Sequence, residues 1–76
     1  MKLHALLLQM RENMGWSQQV AAHKAGCSLR ALQTWERGTS VPSARFCVGL
    51  GEAYGVAPAL LMTLATSAEI ERLEGS

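Results

Sequence analysis

The run from Ser17 to Gly38, SQQVAAHKAGCSLRALQTWERG, holds two short helical segments separated only by Gly26 and Cys27. A glycine-centred junction this tight cannot return the second segment antiparallel to the first. It sends the chain off at a steep angle, which is the geometry of a helix-turn-helix. Ser17 offers an N-cap for QQVAAHKA, whose apolar positions are Val20, Ala21 and Ala25. Ser28 offers one for the second segment, which runs to Arg37 and stops at Gly38. The first helix of the pair is short and rich in alanine, so another helix can come close to it.

At about 100° per residue, Ser28, Leu32 and Trp35 fall on one side of the second helix, while Arg30, Gln33, Thr34 and Arg37 form a stripe on the other. One side has the character of a core and the other that of a contact surface. The stripe suits the major groove of duplex DNA: arginine pairs bidentately with guanine, glutamine with adenine, and threonine offers its hydroxyl or meets a thymine methyl. On an isolated helix the same stripe reads as an ordinary solvated face. The helix-turn-helix frame is what favours nucleic acid.

The rest of the chain reads as helix punctuated by glycine. Leu3, Leu6, Leu7 and Met10 recur at helical spacing and predict a first helix over roughly 2–13, with Gly15 as its left-handed C-terminal residue. GTSVPS is loop by composition, and Ser43 is placed to cap a fourth helix over 44–54. Inside that helix Gly49 and Gly51 each cost about 1 kcal/mol relative to alanine. Close packing accounts for Gly51, whereas nothing in the sequence accounts for Gly49. Gly55 closes the helix, and Pro58 suits the first turn of a fifth carrying Leu60, Leu61 and Leu64. TSAE at Thr66 to Glu69 has capping-box spacing and predicts a separate last helix with Ile70 and Leu73. The expected fold is all-α, a compact bundle of about five short helices containing a helix-turn-helix. Residues 1–66 form the domain, and 67–76 a short acidic C-terminal helix or tail.

Composition narrows the function. Charged residues make up only 17% of the 76 residues and the net charge is +1, so placement matters more than the sum. Residues 1–50 hold six lysines and arginines against two glutamates, and 51–76 one arginine against four glutamates, so a basic body carries an acidic end. The apolar run after Lys2 is too short to span a membrane and lacks a small-residue cleavage site. With Cys27 and Cys47 as its two cysteines, the chain is expected to work reduced in the cytoplasm. His23 and Cys27 lie four apart with His4 elsewhere, which is not the four-ligand pattern of structural zinc. No carboxylate pair and no nucleophile with a placed base is present, so neither enzyme activity nor a metal or cofactor is expected. Trp16 and Trp35 read as core rather than as platforms for stacked bases.

The ordered set of Arg11 before Gly15, SQ opening the second helix, Ala22 and Gly26 at the crossing, WERG closing the third and PS opening the fourth resembles the lambda-repressor-like, Cro/CI-type (XRE) helix-turn-helix domain. The similarity covers about Leu7 to Leu61. It implies that Gln18, at the amino end of the second helix, touches a phosphate or braces a recognition residue. It also implies that Ser28, Leu29, Arg30, Gln33 and Thr34 face the groove, and that Arg37, Thr39, Ser40 and Arg45 meet the DNA backbone. Arg11 and Glu36 match a pair that bridges the first helix to the third. The chain departs from the pattern at Leu29, where a polar residue is frequent, at Ala21, where a larger aliphatic stands, and at Ala57, where a polar cap is usual.

The function these features imply is a sequence-specific, double-stranded-DNA-binding transcriptional regulator, a repressor, acting as a homodimer on a near-palindromic operator. Leu60, Leu61, Leu64, Ile70 and Leu73 exceed what so small a domain readily buries, and they are the expected dimer contacts. The competing reading is an antitoxin or other protein-binding module of the same fold, gripping a protein partner through this leucine-bearing end.

Overall fold

A computed structural model of the chain describes residues 1–75. Among them are five helices and no strand: α1 (Leu3–Met14), α2 (Gln18–Ala25), α3 (Leu29–Arg37), α4 (Ala44–Tyr54) and α5 (Pro58–Glu74). The expected all-α bundle is therefore the fold.

The helix-turn-helix is set by capping on both sides of the turn. Ser17 Oγ accepts from the Val20 amide at 3.2 Å and Ser28 Oγ from the Ala31 amide at 3.0 Å, so each side chain satisfies a donor that its helix start leaves open. Between them Gly26 takes φ 75°, a left-handed conformation that costs glycine little, and the Cys27 amide then reaches back to the Ala22 carbonyl at 3.0 Å. Helix α2 thus ends in a Schellman closure, and α3 begins shortly after it at Leu29. Ser43 stands at the α4 cap position with extended backbone, yet its side chain accepts no capping bond, contrary to the expectation. Helix α5 starts at Pro58 behind Ala57, which supplies no side-chain cap.

The core draws on every helix. Leu7 of α1, Leu32 of α3, Cys47 and Leu50 of α4 and Leu61 of α5 are wholly buried. Helix α2 contributes Ala21, Ala22 and Ala25; Val20, expected on its apolar side, is exposed. Small residues at α2 let α4 approach until backbones touch. A Cβ added at Gly49 would stand 2.3 Å from the Ala25 carbonyl oxygen, which is the reason for the glycine that the sequence left unexplained. Gly51 has a similar cause, with the Val56 oxygen 2.7 Å from where its Cβ would be.

The separate last helix expected from the TSAE spacing does not form. Helix α5 passes through the 66/67 boundary without a break, and Thr66 Oγ1 donates to the Met62 carbonyl at 3.0 Å, one turn back in the same helix. A hydroxyl engaged that way is not capping a new start. The segment 67–76 is thus the end of α5 up to Glu74, its last residue, Ser76, lying outside the described residues. Of its acidic side chains, Glu71 turns back on the domain to meet Lys2 at the start of α1, while Glu69 accepts from Arg72 of the same helix at 3.2 Å. No helix of the described residues is long and apolar enough to cross a membrane.

Candidate nucleic-acid interface

Helix α3 packs against α1 and α2 through Leu32, Trp35 and Glu36, all buried. Trp35 lies against Phe46 of α4, ring centroids 5.4 Å apart. With that side anchored, Leu29, Arg30 and Arg37 are exposed and Gln33 and Thr34 are half-buried at the edge of the outward side. The two sides predicted for this helix are present, with one difference: Ser28, placed on the core side by helical spacing, is exposed at the cap.

Glu36 is the buried charge behind this surface. Its carboxylate accepts from Arg11 Nε at 2.8 Å and Nη2 at 2.9 Å, a bidentate pair that ties α1 to α3. Arg11 Nη1 also donates to the Trp16 carbonyl at 3.1 Å, fixing the turn that leads into α2. The hydrogen bonds to Glu36 push the guanidinium pKa above its usual value, outweighing burial, so the cation persists at any accessible pH. Glu36 accepts a further bond from Gln18 Nε2 at 3.0 Å, and Gln18 Oε1 in turn accepts from Gln33 Nε2 at 3.4 Å. A chain of four polar side chains therefore runs from the interior to the outward face of α3. The Gln33 end of it is legible in the sequence only as the bracing role that the family resemblance implies for Gln18.

Thr34 is engaged from within as well. Its hydroxyl lies 2.8 Å from the Ala31 carbonyl and 2.7 Å from Ser40 Oγ. A carbonyl only accepts, so the single Thr34 hydrogen goes to Ala31, and Ser40 donates to Thr34. The Thr34 hydroxyl thus has no hydrogen left to donate outside the protein. Thr39 Oγ1 donates to the Thr34 carbonyl at 3.2 Å and closes the end of α3. Thr39 and Ser40 thus shape the loop beside the helix, and neither is free of the protein.

Arg45, exposed at the start of α4, holds its guanidinium 5.1 Å from the Phe46 ring centroid. Lys24 stands 5.0 Å from the Trp16 ring, which itself stacks on Tyr54 at 5.7 Å. Sequence reasoning missed both aromatic supports, because neighbouring or distant residues carry no periodic signal of such contacts. Among the described residues the Tyr54 hydroxyl is buried without a hydrogen-bond partner, and burial pushes its pKa up to about 12.

This geometry is a two-helix unit whose second helix is gripped from behind and presents arginines outward. A family model described as a helix-turn-helix domain matches residues 3–64, most of the chain. The chain belongs to the Cro/CI-like, XRE-type helix-turn-helix family. Comparison with individually curated proteins gives no match. In this XRE-type domain the residues that carry the family resemblance are structural: Arg11 and Glu36 form the ion pair, Gly26 makes the turn, and Trp35 lies in the core.

The residues expected to pair two copies divide. Leu61 is 0% exposed and belongs to the core, so it is removed from that set; Leu64 is half-buried. Leu60, Ile70 and Leu73 are exposed. Among the described residues no group of three or more histidines, cysteines or carboxylates is placed to hold a metal ion. Cys27 and Cys47 are free thiols whose pKa values burial raises.

Proposed function

We propose that this XRE-type domain is a sequence-specific transcriptional repressor that binds a near-palindromic operator in duplex DNA as a homodimer, in the cytoplasm and without enzymatic activity. The observation that carries this reading is the outward side of α3: Arg30 and Arg37 are exposed beside Gln33 and Thr34, on a helix whose other side is locked into the core. In this reading Arg30, Gln33 and the Thr34 methyl read bases, with Ser28 and Leu29 at the groove-facing start of the helix. Arg37 and Arg45, with Gln18, Thr39, Ser40 and nearby backbone amides, meet phosphates and set the register.

The exposed Leu60, Ile70 and Leu73 of α5 support a self-association surface. Twofold pairing would place two recognition helices about 34 Å apart, one helical turn of DNA. The same three side chains also favour a second reading, an antitoxin or similar module that covers them with a protein partner.

Selection of bound duplexes from a random pool by the purified protein tests the choice. Enrichment of an inverted repeat is the expected result, and recovery of no motif would favour the protein-binding module.

A further inference from the structure

We propose that the cavity bounded by the start of α1, the 38–41 loop and the last turns of α5 is a binding site for a small aromatic carboxylate, whose anion takes the place of Glu71 on Lys2. Binding there requires nothing of the DNA-reading role of α3. The cavity has a volume of about 310 Å³, at the lower end of the range for small-molecule sites. Its size suits a single ring.

The floor is apolar: Leu3 and Trp35 line the cavity although each is almost wholly buried, and the half-buried Val41 and Ala68 complete the wall. Trp35 is held from behind by Phe46, ring centroids 5.4 Å apart. An indole fixed in this way offers a rigid, flat partner to an incoming ring. The mouth is charged. Lys2, Glu71 and Arg72 line it with side chains more than half exposed, so among the described residues the lining sets two full cations against one carboxylate. Arg72 bonds to Glu69, which lies outside the lining, and Glu71 meets Lys2 across the mouth from α5 to α1.

Glu71 thus occupies the position that a ligand carboxylate would take. Exposed ion pairs are weak, so exchange of one carboxylate for another on Lys2 costs little. A ring attached to the incoming carboxylate adds what Glu71 cannot, apolar surface removed from water against Trp35, Leu3 and Ala68. A neutral ring has the floor without Lys2, and a bare anion has Lys2 without the floor. The site therefore selects molecules that carry both.

Titration of benzoate into the full chain, followed by nuclear magnetic resonance of the backbone amides, tests the site. The signals of Leu3, Val41 and Ala68 should move saturably with a Kd of about a millimolar, in keeping with so small a probe. Acetate, the charge without the ring, and benzamide, the ring without the charge, should each bind at least about threefold more weakly. Glu71→Gln removes the competing anion and should tighten benzoate about threefold. Glu74→Gln makes the same change in net charge at the last residue of α5, outside the lining, and should leave the affinity as it was. Ala68→Leu fills the floor and should abolish binding while the rest of the spectrum stays that of the folded domain. No saturable shift by about 20 mM benzoate overturns the proposal. Equal affinity for benzamide and benzoate, equal responses to Glu71→Gln and Glu74→Gln, or binding retained in a folded Ala68→Leu overturns it as well.

Discussion

Replacing Glu36 by alanine should be among the most damaging single changes to this domain, although the residue lies outside the set proposed to contact DNA. The Glu36 side chain is 4% exposed and that of Arg11 15%, and the guanidinium keeps its charge at any accessible pH. Removing the carboxylate strands that cation with the Trp16 carbonyl as its remaining hydrogen-bond acceptor and strips Gln18 of the acceptor that orients it. Breaking a buried pair from one side costs about 3–5 kcal/mol. Because Arg11 retains a route to solvent, the lower end applies, about 3 kcal/mol. A chain of this length has a total stability of about 4–11 kcal/mol, so the loss is a large fraction of it. Urea titration with the fluorescence of Trp16 and Trp35 as the signal measures the change directly. At a slope of about 1 kcal/mol per molar, the midpoint should fall by roughly 3 M. The double variant Arg11→Met/Glu36→Leu, which removes both charges together, should recover to within about 1 kcal/mol of the wild type. The reasoning is refuted if Glu36→Ala costs less than about 1 kcal/mol, or if the double variant is no more stable than the single one.

Arg30→Ala should reduce discrimination between operator and mismatched duplexes by about 1–3 kcal/mol, read from competition binding. Arg37→Ala should instead weaken all duplexes alike and lower the slope of log affinity against log salt by about 1; equal behaviour of the two variants would contradict the division between base and phosphate contacts. Gly49→Ala gains about 1 kcal/mol of helix propensity but drives a methyl group into the Ala25 carbonyl, so net destabilisation is expected in thermal unfolding, and a raised Tm would show that α2 and α4 separate easily. Tyr54→Phe removes a hydroxyl that is buried without a partner and should leave stability unchanged or raise it. The alkaline behaviour should differ too: the Tyr54 pKa of about 12 in the folded state lies above the value near 10 of an unfolded chain. Stability from this shift is present below pH about 10 and lost as pH rises through about 12, so the wild type should weaken against Tyr54→Phe across that window in denaturation curves taken at successive pH values.

The helix-turn-helix was legible from local signals because its decisive interactions span only a few residues. Ser17 and Ser28 bond to amides three positions on, and Gly26 and Gly38 close their helices with left-handed backbone, so cap and stop signs in the sequence place both helices. The same local logic erred at Thr66, where capping-box spacing competed with an uninterrupted helix and lost: the hydroxyl had a carbonyl one turn back in α5, and no glycine or proline interrupts residues 66–74. Ser43 shows that the residue type at a cap position does not guarantee the capping bond.

By itself, then, the sequence determined the first four helices and the start of the fifth, the tight junction at Gly26 and the two-sided character of α3, since periodicity and capping act within one or two turns of chain. It also carried the Arg11 and Glu36 pair, though only through resemblance to a family. Tertiary structure alone decided why Gly49 must lack a side chain, that Leu61 is core while Leu60 and Ile70 stay outside, and that Gln18 links Glu36 to Gln33. These depend on where helices cross and which atoms then meet at hydrogen-bond or van der Waals distance. Contacts between residues 15 to 25 positions apart leave no periodic trace in the chain that makes them.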